Sequence, residues 1–374
     1  MHAKTYRGRI FVQKKNKHPM KTAILRSLLV IFTAVCITVG GLLGAVLIIE
    51  FGPSEKARDL FVVSMMETSA AKFLATSFLG EEKVEEILAA NAIKDTDEIT
   101  DMNMVVITAP SDDHKEPDEK IDTDEKAIIP GSDNQEVDPD GDGIDIVDVV
   151  GSSFRGKMMI VYDPTRVFVG VSGEFGEDKP GRTINEIYES YDNVVAAING
   201  GGWDDRPGHM TGGEPYGVVI SEGEVLWGTP LGTMWECCGI TKEGKLIVGT
   251  FTIQQALDMG ITDAAKYGPT LIVNDKPTES LGTGGGLNPR TAIGQRADGA
   301  MLLLVIDGRQ SGSLGASLVD VQDVMLKFEA VNAYNLDGGS STSMIYNGEH
   351  VNSNASLIGL RKMCTAFLVR GLEQ

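Results

Sequence analysis

The sequence predicts an α+β protein: a large mixed β-sheet domain with few helices, preceded by one transmembrane helix and an acidic linker. Three observations lead there. Past residue 144 the 374-residue chain breaks into short apolar runs divided by Gly, Asp and Pro, the texture of many strands and turns. Near the N-terminus, 22 consecutive residues from Leu28 to Ile49 carry no charge. Between the two, Lys94 to Val150 holds 19 acids, four lysines and no aromatic residue.

Residues 1–27 form a basic tail with eight Lys or Arg and no acid. A helix over 28–49 rises 1.5 Å per residue and crosses a hydrocarbon core of ~30 Å. The basic flank stays in the cytoplasm, which places everything after Glu50 outside. A cleaved signal peptide is the rival reading; the length of the run and the lack of a clear small-x-small site count against it. Residues 50–93 read as a helical stalk. Leu60, Val63, Met66, Ala70, Phe73, Leu74 and Phe78 recur at helical spacing, and Gly80-Glu81-Glu82 interrupts them. The stalk is either a spacer or a pairing segment, although no heptad is sustained.

Residues 94–143 cannot bury enough apolar surface to fold alone and are expected to be a flexible acidic linker. Within it, Asp138, Asp140 and Asp142 stand at positions 1, 3 and 5 of a calcium-loop pattern with Gly143 at position 6. Val149 occupies the position of the closing Glu, so the match is partial. These three carboxylates are candidate Ca²⁺ ligands, against a solvated acidic turn. Nothing in the sequence requires another cofactor.

Residues 144–374 form the folded domain. Strands are expected at Met158–Tyr162, Val167–Val171, Val194–Ile198, Gly217–Ile220, Val225–Trp227, Leu246–Gly249, Leu271–Val273, Ala300–Ile306, Ala333–Leu336 and Thr365–Val369. Helices are expected at Thr183–Tyr191, Ile253–Met259 and Ser317–Ala330, the last with Ser317 as N-cap.

The net charge is −20, and the basic tail contributes +8, so the rest of the chain carries −28. A surface that acidic excludes a phosphate-gripping nucleic-acid binder. Cys36 lies in the apolar helix, leaving Cys237, Cys238 and Cys364. An odd number with an adjacent pair is no disulfide framework; one bridge to Cys364 competes with buried thiols.

The chemistry concentrates in a few segments. The apolar run Val331–Leu336 ends in Asp337-Gly338-Gly339-Ser340-Ser341-Thr342, which delivers a carboxylate where the backbone can approach a ligand. Arg290-Thr291-Ala292-Ile293-Gly294 and Val305-Ile306-Asp307-Gly308-Arg309 repeat the plan of a strand with a charged tip. Asn199-Gly200-Gly201-Gly202-Trp203 follows another strand, and its glycines let the main chain sit against a ligand or simply turn. No Gly-x-Ser-x-Gly elbow, P-loop ending, His-Glu-x-x-His or Cys-x-x-Cys is present, which counts against serine hydrolases, NTPases and zinc enzymes. Carboxylates, arginines, amides and hydroxyls remain. That set suits cleavage at a sugar, and better still at a sugar linked to phosphate, whose oxygens arginine grips in bidentate fashion.

In this order, Asn199-Gly200-Gly201, Gly217-Val218-Val219-Ile220 with Gly223, Arg290 to Gly294, Asp307-Gly308-Arg309 with Gly312 and Gly315-Ala316-Ser317-Leu318, Asn335 to Thr342, and Arg361 resemble the phosphodiester glycosidase family over roughly Gly151 to Val369. The resemblance implies hydrolysis between a sugar's anomeric carbon and a phosphate. Arg361-Lys362-Met363-Cys364 is a looser match. By that resemblance Arg290 and Arg309 bind phosphate, Arg361 is a further substrate-binding residue, and Asp337 is the nucleophile or the base that activates water. Asp307 is its partner or a sugar ligand, and Glu214 is a reserve acid. Asn199, Gly200, Gly201, Gly338, Gly339, Ser340, Ser341 and Thr342 line the substrate. Trp203 either stacks on the sugar or is buried. The expected partners are a glycan or sugar-phosphate substrate and, through the N-terminal helix, a membrane; the oligomeric state stays open. The alternative function is a non-catalytic envelope glycan-binding or assembly protein. Asp307 and Asp337, with few aromatics, favour the enzyme.

Overall fold

The computed structural model describes residues 19–68, 71–93, 96–107, 141–204, 211–228, 231–279, 281, 284–354, 356 and 359–372. The chain divides into a unit ending at Arg58 and a second running from Asp59 to the C-terminus. The first unit is dominated by α1 (Pro19–Phe51), within which Ala23–Phe51 is long and apolar enough to cross a membrane. Where the sequence suggests one interrupted stalk helix, there are three: α2 (Glu55–Met66), α3 (Lys72–Leu79) and α4 (Glu81–Ala90). Val62, Val63, Ala75, Val84 and Ile87 bury one another between them, so the three pack as a small cluster.

The strands are β1 (Ile144–Val150), β2 (Arg155–Val161), β3 (Val167–Val171), β4 (Val194–Asn199), β5 (Val219–Ser221), β6 (Glu224–Trp227), β7 (Met234–Thr241), β8 (Leu246–Thr252) and β9 (Ile261–Ala265). They continue with β10 (Thr270–Val273), β11 (Lys276–Pro277), β12 (Arg290–Arg296), β13 (Met301–Ile306), β14 (Ala330–Leu336), β15 (Met344–Tyr346), β16 (Glu349–His350) and β17 (Thr365–Arg370). Helices α5 (Ile184–Tyr188), α6 (Ile253–Asp258) and α7 (Leu318–Lys327) fall where the sequence places them. Each starts on a capping box, Thr183 with Glu186, Thr252 with Gln255, and Ser317 with Asp320, which satisfies otherwise orphaned N–H groups.

The strands form three antiparallel sheets in the orders β1-β2-β13-β12-β14-β10-β11, β16-β15-β4-β17-β3 and β6-β5-β9-β7-β8. One apolar cluster runs through all three, with Met159, Val169, Ile198, Cys238, Ile293, Leu303, Tyr334 and Phe367 fully buried. The other face of the seven-stranded sheet is covered by α7 through Leu318, Val321, Val324 and Met325. Strands β2, β12, β13 and β14 are therefore covered on both faces, which explains their near-continuous apolar runs.

Residues 97–107 fall inside the stretch that reads as linker, yet they lie along the domain. Ile99 bridges Gly249, the Thr100 hydroxyl bonds Asn332 at 3.2 Å, and Lys245 Nζ donates to the Met102 carbonyl at 2.7 Å. The acids dominate the average of this stretch and hide the apolar docking residues Ile99 and Val105, the latter 1% exposed.

Candidate active site

The seven-stranded sheet brings the charged tips together by topology. β12 begins where β13 and β14 end: Arg290 pairs with Ile306, and Thr291 with Leu336. Arg290, Asp307 and Asp337 thus share one end of the sheet. The second sheet adds the end of β4, because Asp337 N–H donates to the Gly200 carbonyl at 3.1 Å and Asn199 Nδ2 donates to the Asp337 carbonyl at 2.5 Å.

Arg290 is 7% exposed. Its Nε donates to the Ala316 carbonyl at 3.0 Å, and its Nη2 to the carbonyls of Gly284, Gly285 and Gly286 at 3.0, 2.8 and 2.9 Å. Among the described residues Nη1 has no hydrogen-bond partner and no carboxylate forms an ion pair with this guanidinium. Burial pulls its pKa below the ordinary arginine value, and the neighbouring charge of Arg309 adds to that. A buried cation held only by carbonyls can pair with an anion, since buried charges are stable when paired.

Arg309 lies at the exposed rim with φ +57°, a left-handed backbone rare for a residue with a side chain. Its Nη2 donates to Asn288 Oδ1 at 2.9 Å, and a Cβ on Gly339 would lie 3.4 Å from its Nη1. Desolvation pulls it below its ordinary value, with Arg361 contributing in the same direction. Arg361 Nη1 donates to the Ser340 hydroxyl at 3.3 Å, and its guanidinium stacks 4.8 Å over Trp203. Arg309 and Arg361 therefore meet the loop that follows Asp337, and the charge of Arg309 reaches Arg290. Trp203 is 5% exposed and serves as Arg361's platform, not as a surface for a sugar.

The carboxylates fall into two places. Burial raises the Cys364 thiol pKa, and the charges of Asp337 and Glu214, both within electrostatic reach of it, raise it further. Glu214, held in reserve by the sequence, is thus an acid whose charge reaches the same thiol as that of Asp337. Asp307 instead accepts hydrogen bonds on Oδ1 from Asn352 Nδ2 at 3.1 Å and Ser353 N–H at 3.0 Å. Burial raises its pKa, and those two bonds and Lys157 pull the other way.

Several expected substrate contacts are engaged within the protein. Asn199 is 1% exposed; its Oδ1 accepts from the Thr291 hydroxyl at 2.7 Å and Ser343 N–H at 3.1 Å. Gly200, Gly201 and Gly202 donate to the Thr365 carbonyl, the Thr365 hydroxyl and the Lys266 carbonyl. These glycines fit strand packing: a Cβ on Gly200 would sit 2.6 Å from the Thr365 hydroxyl. Asn199, Gly200 and Gly201, expected to present polar groups to a ligand, use those groups in this geometry to hold Asp337 and the neighbouring strands. Ser341 and Thr342 are 4% and 2% exposed, whereas Gly338, Gly339 and Ser340 keep partial access.

Sequence reasoning missed the strap at Asn352–Asn354. Asn354 Nδ2 bonds the Ser340 carbonyl, the Thr342 carbonyl and Ser343 Oγ at 3.0, 3.1 and 2.9 Å. Polar residues after a hairpin look like any loop, so no local signal marks them. Of the calcium candidates, Asp138 and Asp140 lie outside the described residues. Asp142 accepts from Ile144 N–H at 2.9 Å and Tyr346 Oη at 3.0 Å. Among the described residues no group of three or more His, Cys, Asp or Glu is placed to hold a metal. Cys237, Cys238 and Cys364 are free and buried.

Residues 192–370 match the family model of the phosphodiester glycosidases. Human N-acetylglucosamine-1-phosphodiester alpha-N-acetylglucosaminidase is 30% identical over 184 residues, covering 44% of this chain and 34% of that protein. A prophage-derived uncharacterized protein of Bacillus subtilis, YomE, is 30% identical over 200 residues, covering 51% of this chain and 29% of that protein. The chain thus spans about a third of the length of these relatives. Among solved structures, the zebrafish N-acetylglucosamine-1-phosphodiester alpha-N-acetylglucosaminidase catalytic domain, auto-inhibited by its pro-peptide, superposes with a TM-score of 0.51. At 22% identity, over 67% of this chain and 88% of that one, the likeness is one of fold.

Proposed function

We propose that this chain, which resembles the phosphodiester glycosidase family over residues 192–370, is a membrane-anchored extracellular hydrolase that cleaves a sugar-1-phosphodiester bond in envelope or surface glycans. The observation that carries the reading is that Arg309 and Arg361 meet the loop following Asp337, while buried Arg290 stands at the same sheet end as Asp337 with no carboxylate paired to it among the described residues. Arg290 Nη1 and the rim guanidinium of Arg309 grip the phosphodiester.

In the reaction, a water oxygen adds to the anomeric carbon, the bond from that carbon to the phosphate oxygen breaks, and a phosphomonoester leaves. Asp337 takes the water proton directly, or Asp337 itself attacks the anomeric carbon as the phosphate leaves and water, deprotonated by Glu214 as the second acid of the pair, then displaces Asp337 from the sugar. The leaving phosphate is a weak base and needs little protonation. As the bond breaks its charge grows from one toward two, and the guanidinium groups stabilise that growth. Asp307, tied to the Asn352 strap, supports the loop. The N-terminal helix supplies the anchor, with the basic tail on the cytoplasmic side.

The test is to incubate full-length protein with a panel of sugar-1-phosphodiesters, with and without Ca²⁺, and to quantify free sugar and phosphomonoester. Release of both in equal amounts is expected. Tight binding of the glycans without turnover would make the protein a carrier instead.

A further inference from the structure

Helix α2 reaches the arginine cluster. Ser64, 7% exposed, donates its hydroxyl proton to the Leu60 carbonyl at 2.6 Å and accepts Leu287 N–H at 2.8 Å. Gly286 has φ +69°, and a Cβ there would lie 2.4 Å from Ser64 Oγ and 2.6 Å from its Cα, so a glycine is needed for loop and helix to meet. The neighbouring carbonyls of that loop are those that hold Arg290 Nη2. Stalk helix, glycine loop and guanidinium form one packed series.

Glu67 follows Ser64 by three residues, and its N–H still bonds the Val63 carbonyl at 3.1 Å, so the helical turn continues. Residues three apart share a helix face, which puts Glu67 on the side of α2 that meets the loop. It is exposed, and no ion pair ties it to either arginine among the described residues. Its charge nevertheless acts on both Arg290 and Arg309, opposing the effect of their burial. It is an acidic side chain on the helix face that meets the loop holding Arg290.

We propose that Glu67 is a specificity-determining residue: set beside Arg290 and Arg309 by the Ser64–Leu287 contact, it favours a singly charged phosphodiester over a doubly charged phosphomonoester. The inference rests on the reading of the arginine cluster as a phosphate site. Coulomb energy scales with ligand charge, so the factor by which Glu67 weakens a monoanion is squared for a dianion. For charges on the order of 8 Å apart in a water-like dielectric that is about two- to threefold against roughly four- to ninefold. A phosphomonoester carries about −1.5 to −2 near neutral pH, a diester a single charge. The same device lowers retention of the phosphomonoester product.

The experiment compares full-length wild-type protein with Glu67→Gln in detergent, at about pH 8, where a phosphomonoester is fully dianionic. Calorimetry measures binding of phenyl phosphate, a dianion, and methyl phenyl phosphate, a monoanion of similar size. Glu67→Gln is expected to tighten both, phenyl phosphate by about the square of the other factor, with the difference shrinking at ~0.5 M salt. Glu86→Gln on α4 is expected to change neither. An equal change for both ligands, or no change, overturns the proposal. Failure of the wild-type protein to bind either ligand removes the phosphate site and this inference together. If both bind but no sugar phosphodiester is hydrolysed, the catalytic reading falls while the ratio of the two factors still decides this one.

Discussion

Removing the Asn199 amide is expected to unpin the Asp337 loop. The side chain is buried and makes three hydrogen bonds, to the Asp337 carbonyl, the Thr291 hydroxyl and Ser343 N–H. In Asn199→Ala the Thr291 hydroxyl can turn to Thr342 Oγ1, already 3.4 Å away. The Asp337 carbonyl and Ser343 N–H lose their side-chain partner. Orphaned buried groups cost about 1–3 kcal/mol each, so the loss should be ~3–5 kcal/mol. For a domain of this size that lowers Tm by roughly 8–15 °C.

Asn199→Asp separates hydrogen bonding from volume. Its Oδ1 still accepts from Thr291 and Ser343, but Oδ2 faces the Asp337 carbonyl, acceptor to acceptor. Only the protonated acid can donate there, so the folded-state pKa of the new carboxyl is raised. Its stabilising contribution is then present below the unfolded pKa of ~3.9 and lost as pH rises through the higher folded value. Thermal melts of the full-length protein followed by tryptophan fluorescence, at about pH 7.5 and about pH 5, read this directly. The reasoning is refuted if Asn199→Ala stays within about 1 kcal/mol of wild type. It is equally refuted if Asn199→Asp matches wild type at neutral pH and gains nothing relative to it on acidification.

Three further outcomes follow from the same geometry. Asp337→Asn should retain the melting profile while hydrolysis falls by ~100-fold or more, the scale of a lost proton-transfer group; undiminished turnover removes the assigned role. Asp307 has a pKa raised by burial, so its protonated form is favoured in the folded state, and that stabilisation fades as pH rises through the raised value. Asp307→Asn, which keeps an acceptor for Asn352 and Ser353, should therefore raise Tm at neutral pH, with the advantage shrinking as pH falls through the folded pKa; an advantage that grows at low pH contradicts this. In a Cys36→Ser background, Cys237, Cys238 and Cys364 should resist a water-soluble disulfide reagent until the protein unfolds, because burial raises all three thiols.

Much of the fold was legible because strands buried on both faces read as apolar runs. Val167–Val171 appears with the expected bounds, and Leu302 to Ile306 sit in a strand with no exposed residue. β7 and β9 escaped because Glu236, Cys237, Thr262 and Asp263 break the apolar texture. Glu236 is buried there for a tertiary reason, accepting Thr270 N–H at 2.9 Å. In the site, the charged strand tips Arg290, Asp307 and Asp337 could be read locally, and antiparallel pairing put them at one sheet end. What could not be read was direction: whether Asn199 faces ligand or protein, whether Asp307 looks toward Asp337 or Asn352, and that Ser64 in the stalk would touch the Gly286 loop. Each depends on partners more than 40 residues away in sequence.

The measurement that bears most directly on a glycosidase is hydrolysis of an α-N-acetylglucosamine 1-phosphodiester in ¹⁸O-labelled water, with both products analysed by mass spectrometry. Attack at the anomeric carbon, as the proposed reaction requires, puts the label in the released sugar and none in the phosphomonoester. Label in the phosphate would mean that the bond to phosphorus breaks, which contradicts the account.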